Sequence, residues 1–200
     1  SITATINAAL TGNQGLNKTD LGTLVLNGVN TYTGTTTLSQ GVLSVAQDSA
    51  LGDAANGLQF NDGILRTTDA FSSERAVSLS TSGTFDTAAD LTLNGGISGA
   101  GSLQKSGAGR LTLNQANTYS GDTVINQGTL TLNSTGSIAA SRGVRLAAAD
   151  ATLEVAATGN QTINEFNGVA GSQVLADGAL TFGTATNSAF AGQVQGAGAL

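Results

Sequence analysis

Short runs of alternating apolar and polar side chains recur along the whole chain. Each run places two aliphatic or aromatic side chains on one face and a third residue, often polar, on the other, which is the period of a β-strand. The runs return about every ten to twelve residues, with polar or glycine-containing turns between them. They predict many short strands, at residues 24–26, 43–45, 58–60, 91–93, 111–113, 130–132, 144–146, 153–155 and 180–182.

Two alanine-rich stretches, residues 46–56 and 138–150, could be mistaken for helices. Both contain glycine, and neither shows an apolar stripe with a period of 3.6 residues. We therefore expect loops or single turns there.

One long segment of the sequence occurs twice. Residues 103–132 repeat residues 16–45 without a gap, at a constant offset of 87 (103 − 16). A third copy begins near residue 196, where residues 196–200 resemble residues 99–103. We therefore expect the chain to be a segment of a longer array. The recurring residues that define the motif are Lys18, Gly22, Asn30, Tyr32, Gly34 and Gly41 in the first copy, and Lys105, Gly109, Asn117, Tyr119, Gly121 and Gly128 in the second.

The repeat decides between two folds that suit short, evenly spaced strands. A hairpin sandwich needs distinct edge and centre strands, whereas stacked coils see only their neighbours and can repeat. The pattern therefore predicts an all-β parallel β-helix, a three-sided solenoid that forms a single unit over residues 1–200. Within one coil we expect Leu111 and Leu113 on the first side, Thr123 and Ile125 on the second, and residues 130–132 on the third.

Composition and charge exclude several classes of partner. The net charge is −6 with a pI near 4.2, and the seven Lys and Arg residues are scattered, so no basic stripe favours nucleic acid or an anionic membrane. No apolar run is long enough to span a bilayer, so we expect no membrane insertion of this chain. Cysteine is absent, which excludes a disulfide scaffold and a thiolate metal site.

Catalytic chemistry finds little support. The chain has no histidine or cysteine, which removes the common nucleophile systems. No calcium-binding glycine–aspartate repeat occurs, so we expect no metal, no cofactor and no enzyme activity. Some β-helices cleave polysaccharides with paired carboxylates, but acids in solvated turns and faces are the simpler interpretation here. The candidate pairs are Asp48 with Asp53, Asp86 with Asp90, and Asp150 with Glu154. The first two pairs lie in predicted turns, and the third flanks the start of a predicted strand.

The polar and aromatic residues of the repeat are expected to be structural. The rings of Tyr32 and Tyr119 are predicted to fold back over a coil corner, although a binding role for exposed loop aromatics was the alternative. The amides of Asn30 and Asn117 would cap backbone groups in a tight bend. For the lysines of the motif, a solvated position or a role in capping the turn is sufficient to explain their presence.

The repeated pattern is K-[ST]-x-x-G-x-L-x-L-N-x-x-N-T-Y-[ST]-G-x-T, followed by Q-G-x-L. It resembles the passenger-associated transport repeat of Gram-negative autotransporters (type V secretion). The intervening segments also resemble such passengers. The first copy departs slightly, since Asp20-Leu21 replaces the Gly-Ala of residues 107–108.

The resemblance implies a right-handed β-helix of about eight to ten coils, each of about 20–25 residues. It also implies a stem at the cell surface, or secreted, that supports secretion and folding and displays an effector or adhesive region. The implied partner is the C-terminal outer-membrane β-barrel translocator of the same chain. Two alternatives remain open: an adhesin that binds host or bacterial surfaces along the β-helix, and the non-catalytic part of a secreted enzyme with a serine protease or esterase upstream.

Overall fold

Parallel strands stack into a solenoid of successive coils. The computed structural model describes residues 2–133, 135–156, 161–182 and 188–198. Residues 199 and 200, which belong to the predicted third copy, lie outside this described part. The predicted all-β parallel solenoid is confirmed, because neighbouring strands within each sheet come from successive coils and run in the same direction.

Sheet 1 is the longest of the sheets, with nine strands in the described part of the chain, one from each of nine successive coils. Its strands, in order along the solenoid, are β1 (Thr3–Ile6), β3 (Thr23–Leu26), β5 (Val42–Val45), β7 (Ile64–Thr67), β10 (Ser82–Thr87), β13 (Ser102–Ser106), β15 (Thr123–Ile125), β17 (Val144–Leu146) and β20 (Phe166–Gly168).

The other sides of the solenoid are covered by shorter sheets. Sheet 2 contains β8 (Phe71–Ser73), β11 (Leu91–Leu93), β14 (Arg110–Leu113), β16 (Thr129–Leu132), β18 (Thr152–Val155), β21 (Gln173–Ala176) and β23 (Gln193–Gln195). Sheet 3 contains β2 (Leu16–Lys18), β4 (Thr36–Leu38), β6 (Leu58–Phe60), β9 (Val77–Leu79) and β12 (Ile97–Gly99), and a separate pair is formed by β19 (Gln161–Ile163) and β22 (Leu180–Phe182).

The chain visits sheet 1, sheet 2 and sheet 3 in that order within a coil, as β7, β8 and β9 show. Residues that face each other in adjacent coils are 19 to 23 positions apart, as in Leu111 with Leu130 and Leu130 with Leu153. All nine predicted runs are strands. The predicted coil size is close to the observed one.

One part of the predicted coil is wrong. Leu130 does not lie on a third side, because β16 pairs with β14 and returns to sheet 2 one coil later. The two segments therefore belong to consecutive coils. In this region the third side is formed by residues 114–122, which contain the tyrosine loop and pair with the next coil only through a bridge from Ala116 to Ser137.

The core is a continuous column of inward-facing side chains. Alternate residues are buried in most of the strands, as in β7, β10 and β14, since successive side chains of a strand point to opposite faces. Leucine fills most of the column, with Phe60 stacked on Phe85 at 4.9 Å between ring centres. Each coil thus buries its apolar face inside the solenoid, in contact with its neighbouring coils.

The two alanine-rich stretches contain no α-helix among the described residues. Residues 46–56 form one 3-10 turn, Asp48–Leu51, and residues 138–150 contain turns and β17. The expectation of loops and single turns is confirmed.

Candidate functional site: the repeated lysine–asparagine–tyrosine cluster

The lysine of each copy is buried in a corner of the solenoid. Lys105 ends the inward side of β13 and is fully buried, while Lys18 of β2 is 7% exposed. The Lys105 ammonium donates to the carbonyl oxygens of Ser106 (2.9 Å), Gly107 (2.7 Å) and Gln127 (3.0 Å). Lys18 contacts the matching carbonyls of Asp20 and Gln40. Of the two roles considered for the lysines, the structure shows the turn cap and not the solvated position.

This burial changes the acidity of the second lysine. Removal from water lowers the pKa of Lys105 to about 8, because burial disfavours the charged form. The carboxylates of Asp86, Asp90 and Asp150 act in the opposite direction, since negative charge favours the ammonium.

The asparagine of each copy connects three consecutive coils. The Asn117 side chain accepts a hydrogen bond from the backbone N–H of Ile97 (2.9 Å) and donates to the carbonyl of Ser137 (3.0 Å). These residues lie 20 positions before and 20 positions after it. Asn30 makes the matching bonds to Leu10 and Ala50. The amides therefore cap backbone groups of neighbouring coils, and the Asn117 amide also donates to the carbonyl of Gln115 in the local bend.

The tyrosine rings point into the solenoid rather than into solvent. Tyr119 and Tyr32 are 0% and 3% exposed, and each hydroxyl lies 2.6 Å from a threonine hydroxyl, Thr123 or Thr36. Burial raises the pKa of both phenols, because the ionised form would lose its hydration. The rings are thus buried at a coil corner, and their hydroxyl groups bind within the solenoid.

The motif glycines allow close approach between coils. A Cβ added at Gly34 would lie 2.2 Å from the backbone N of Gly15, and one added at Gly121 would lie 2.3 Å from the carbonyl oxygen of Gly101. Gly22 and Gly109 are similarly close to the preceding coil. A side chain at these positions would push the coils apart.

Gly41 and Gly128 carry a second constraint. Both have positive φ, 65° and 69°, which side chains other than glycine adopt only with strain. These two glycines turn the chain beside the buried lysine of their own copy.

The two copies occupy different sides of the solenoid. Lys18 lies in sheet 3, and its register partners Leu38, Phe60, Leu79 and Gly99 follow through four coils. Lys105 comes on the next side after Gly99, in sheet 1. The offset of 87 residues thus equals four coils plus one side, so the motif carries its local structure with it and does not depend on a particular sheet.

A buried arginine forms a related cluster that the sequence did not reveal. Arg75 is 2% exposed and binds the Asp48 carboxylate through Nε (2.9 Å) and Nη2 (3.0 Å). Its other N–H groups donate to the carbonyls of Gly52, Asp53 and Asn56. Arg75 is separated from Asp48 by 27 residues, and no local pattern marks this distance. It was counted only among the scattered cations.

The candidate carboxylates are engaged in structural contacts. Asp48 binds Arg75, and the Asp53 carboxylate accepts a bond from the N–H of Ala55. Asp86 pairs with Arg66, and the prediction that Asp86 lies in a turn is wrong, because it belongs to β10.

Two of the remaining candidates are also engaged, whereas Asp150 lies exposed in the turn before β18. Asp90 accepts a hydrogen bond from the backbone N–H of Arg110, and Glu154 forms an ion pair with the Arg110 guanidinium. Within the described ranges, no group of three or more acidic side chains is placed to hold a metal ion. No described helix is long and apolar enough to cross a membrane.

Comparison with known proteins gives two matches. The family model described as Passenger-associated-transport-repeat matches residues 16–45 and 103–132. A curated relative, Adhesin BmaC autotransporter of Brucella suis biovar 1 (strain 1330), is 46% identical over 132 residues. The alignment covers 64% of this chain but only 4% of that relative. No solved structure matches the chain.

The relative aligns over a longer stretch than the two repeats together occupy. The similarity therefore extends to the coils between the repeats, which in this structure continue the same solenoid. Together with the two repeat matches, it establishes the resemblance inferred from the motif. Residues 16–45 and 103–132 are thus passenger-associated transport repeats, and the chain is similar to an autotransporter adhesin over 64% of its length.

Proposed function

We propose that this chain is a structural β-helical stem of an autotransporter passenger. It supports secretion and folding across the outer membrane and displays an effector or adhesive region. The observation that carries the proposal is the burial of the repeat's polar side chains. Lys105, Asn117 and Tyr119 all bind groups of the solenoid itself, so the motif shapes coils and does not present a ligand surface.

The two transport repeats and the similarity to an autotransporter support a location at the cell surface, or secreted, in a Gram-negative bacterium. The proposed partner is a C-terminal outer-membrane β-barrel translocator in the same chain. We propose no catalytic role for these coils, because five of the six candidate carboxylates are held by cations or backbone N–H groups. The scattered cations and the net charge of −6 argue against nucleic acid as a partner.

The physics of a solenoid suits a role in secretion. Coils can fold one after another, because stability is a sum of local terms and nearest-neighbour contacts. Each added coil buries about six aliphatic side chains, worth roughly 1.5–3 kcal/mol each before the loss of chain entropy is subtracted. A coil that has folded outside the cell resists sliding back, so folding can bias the chain outwards without ATP.

The test uses an autotransporter that contains this chain, with Asn117→Ala and Tyr119→Ala in the passenger. We expect a several-fold loss of protease-accessible passenger at the surface, at unchanged abundance of the translocator. Thr112→Ala is the matched control, because Thr112 lies on the outward face of β14. Unchanged surface display in both motif variants, shown to be unstable as purified proteins, would contradict the secretion role.

An adhesive function is the second candidate, because the curated relative is named an adhesin. Adhesion would use outward-facing side chains of a sheet, since the motif residues are buried. The purified chain should then show saturable binding to host or bacterial surfaces. Binding that is lost when the outward residues of a single sheet are replaced would favour the adhesin over the inert stem.

A further inference from the structure

The apolar core leaves one ambiguity in how neighbouring coils align. Leu111 and Leu113 of β14 face Leu130 and Leu132 of β16. A shift of one residue would turn every leucine outwards, but a shift of two residues keeps the same faces buried. Because the facing strands share a Leu-x-Leu pattern, a shifted strand would still pair one leucine with another. The core alone therefore discriminates weakly between the two registers.

The corner before β16 contains a contact that is sensitive to such a shift. The fully buried Lys105 ammonium donates to two carbonyls of its own coil and to one carbonyl, Gln127, of the next. A shift of two residues moves the Gln127 carbonyl by about 6.6 Å, beyond hydrogen-bond reach. The carbonyl of Ile125, which would approach in one direction, already accepts from the N–H of Ala147. A buried ammonium with one acceptor missing is strongly disfavoured.

Gly128 adds a steric constraint at the same corner. A Cβ at this position would lie 2.4 Å from the Gly107 carbonyl oxygen and 2.9 Å from the Lys105 nitrogen. A two-residue shift would place Asn126 or Leu130 there, depending on its direction. Either side chain would collide with the backbone of the preceding coil. The corner therefore accepts the chain in one alignment.

Asn117 constrains the register on both sides of its own coil. Its amide is held between Ile97 of the preceding coil and Ser137 of the following one. Both partners must be in register for the amide to satisfy its acceptor and its donor. Lys18 and Asn30 make equivalent contacts in the first copy.

We propose that the buried lysine and asparagine of each repeat set the alignment of successive coils, in addition to stabilising them. Buried polar groups are known to specify register where apolar packing alone permits alternatives. The repeat would thus fix the register of neighbouring strands at intervals along a solenoid of similar coils. This inference concerns the folded chain and stands independently of secretion.

The chain contains no cysteine, so engineered disulfides can report the register directly. Thr112→Cys with Thr131→Cys joins register partners, which lie about 4.8 Å apart in a parallel sheet. Thr112→Cys with Thr129→Cys joins residues that face each other only after a two-residue shift. In the native alignment this second pair is more than about 7 Å apart, too far for a disulfide. Each pair is oxidised during refolding of the purified chain, with and without Lys105→Met.

With Lys105 present we expect the 112–131 disulfide and little 112–129 disulfide. In Lys105→Met the 112–129 disulfide should increase about tenfold, the population change expected when one well-formed polar contact is lost. Leu93→Ala is the control, because it removes a buried side chain of the adjacent strand and leaves the corner intact. An equal increase in Leu93→Ala, or none in Lys105→Met, would overturn the proposal.

If Lys105→Met does not fold, the first copy provides the same test. Lys18→Met is combined with Val25→Cys and either Ser44→Cys, the native partner, or Val42→Cys, the shifted one. Lys18 is less completely buried than Lys105, so its replacement is the milder change. A strictly native disulfide pattern in Lys18→Met would likewise overturn the proposal.

Discussion

At the scale of single residues, buried cationic side chains stabilise the solenoid. Lys18, Arg75 and Lys105 are buried, and their N–H groups satisfy carbonyl oxygens at corners where the chain leaves a strand. Backbone carbonyls that leave the strand ladder at such corners need another donor. A long side chain with several donors solves this problem for several carbonyls at once.

The buried lysine predicts a rise in stability at mildly alkaline pH. The pKa of Lys105 is about 8 in the folded chain, against 10.5 for an ordinary lysine. Between these values the unfolded chain binds more protons, so the free energy of unfolding should rise as pH increases from about 8. Above pH 10 the tyrosines oppose this trend, because their raised pKa makes the unfolded phenols ionise first.

The measurement is urea unfolding, followed by circular dichroism, at several values between pH 7.5 and 9.5. Lys105→Met should abolish the rise over this range. If the free energy of unfolding still rises with pH in Lys105→Met, another titrating group must cause the rise.

The glycine corners give a prediction with an internal control. Gly128→Ala should lower the free energy of unfolding by about 2 kcal/mol or more, since it adds strain at positive φ and a backbone collision. Gly96→Ala should change it by less than about 0.5 kcal/mol, because the nearest atom to an added Cβ lies 3.8 Å away. Thermal or urea unfolding of both variants tests the difference. Equal effects would show that the corner adapts.

At the scale of elements, a strand of three or four residues is stabilised by the loop that follows it. The 48–56 loop contains a single 3-10 turn. Arg75 of the next coil donates hydrogen bonds to it, and Gly52 lies close against the ring of Tyr32. The Asn56 amide adds a bond to the Tyr32 carbonyl. Loops of this kind replace the missing strands of sheet 2 in the first coils.

Removing the arginine should therefore disturb a whole loop. Arg75→Met leaves the Asp48 carboxylate and several carbonyls without their donor, at an expected cost of about 3–5 kcal/mol. Arg66→Met, at a half-exposed ion pair with Asp86, should cost less than about 1 kcal/mol. Urea unfolding measures both, and limited proteolysis within residues 48–56 should increase only in Arg75→Met. Comparable costs for the two arginines would contradict this account.

At the scale of the whole molecule, interactions are almost one-dimensional. Except at the ends of the sheets, each strand pairs with the strands of the preceding and following coils, and the core is a single column. Damage to one coil is therefore felt first by its neighbours.

Hydrogen exchange can test how far damage spreads. In Gly128→Ala we expect faster amide exchange in β14 to β17, with β4 and β6 almost unchanged, because several intact coils separate them. Mass spectrometry of peptides from both regions provides the measurement. Uniform loss of protection from β4 to β17 would mean that the coils unfold as one cooperative unit.

Much of the fold was readable from the sequence because its signals are local. Runs such as Leu111-Thr112-Leu113 alternate with the period of a strand, and a long internal repeat suits stacked coils better than a sandwich. The buried tyrosines followed from the need to place a large ring at a corner.

The tertiary structure alone decided what depends on how coils overlie each other. The prediction that Leu130 lies on the third side was wrong, because the period of a strand does not indicate which side of the solenoid that strand occupies. The ion pair of Arg75 with Asp48 joins residues that share no sequence pattern, since they meet only after one coil has stacked on another. For the same reason, only the fold shows that the two copies of the repeat face different sides, four coils and one side apart. Local periodicity determines which residues point inwards, and the stacking of coils determines which of them meet.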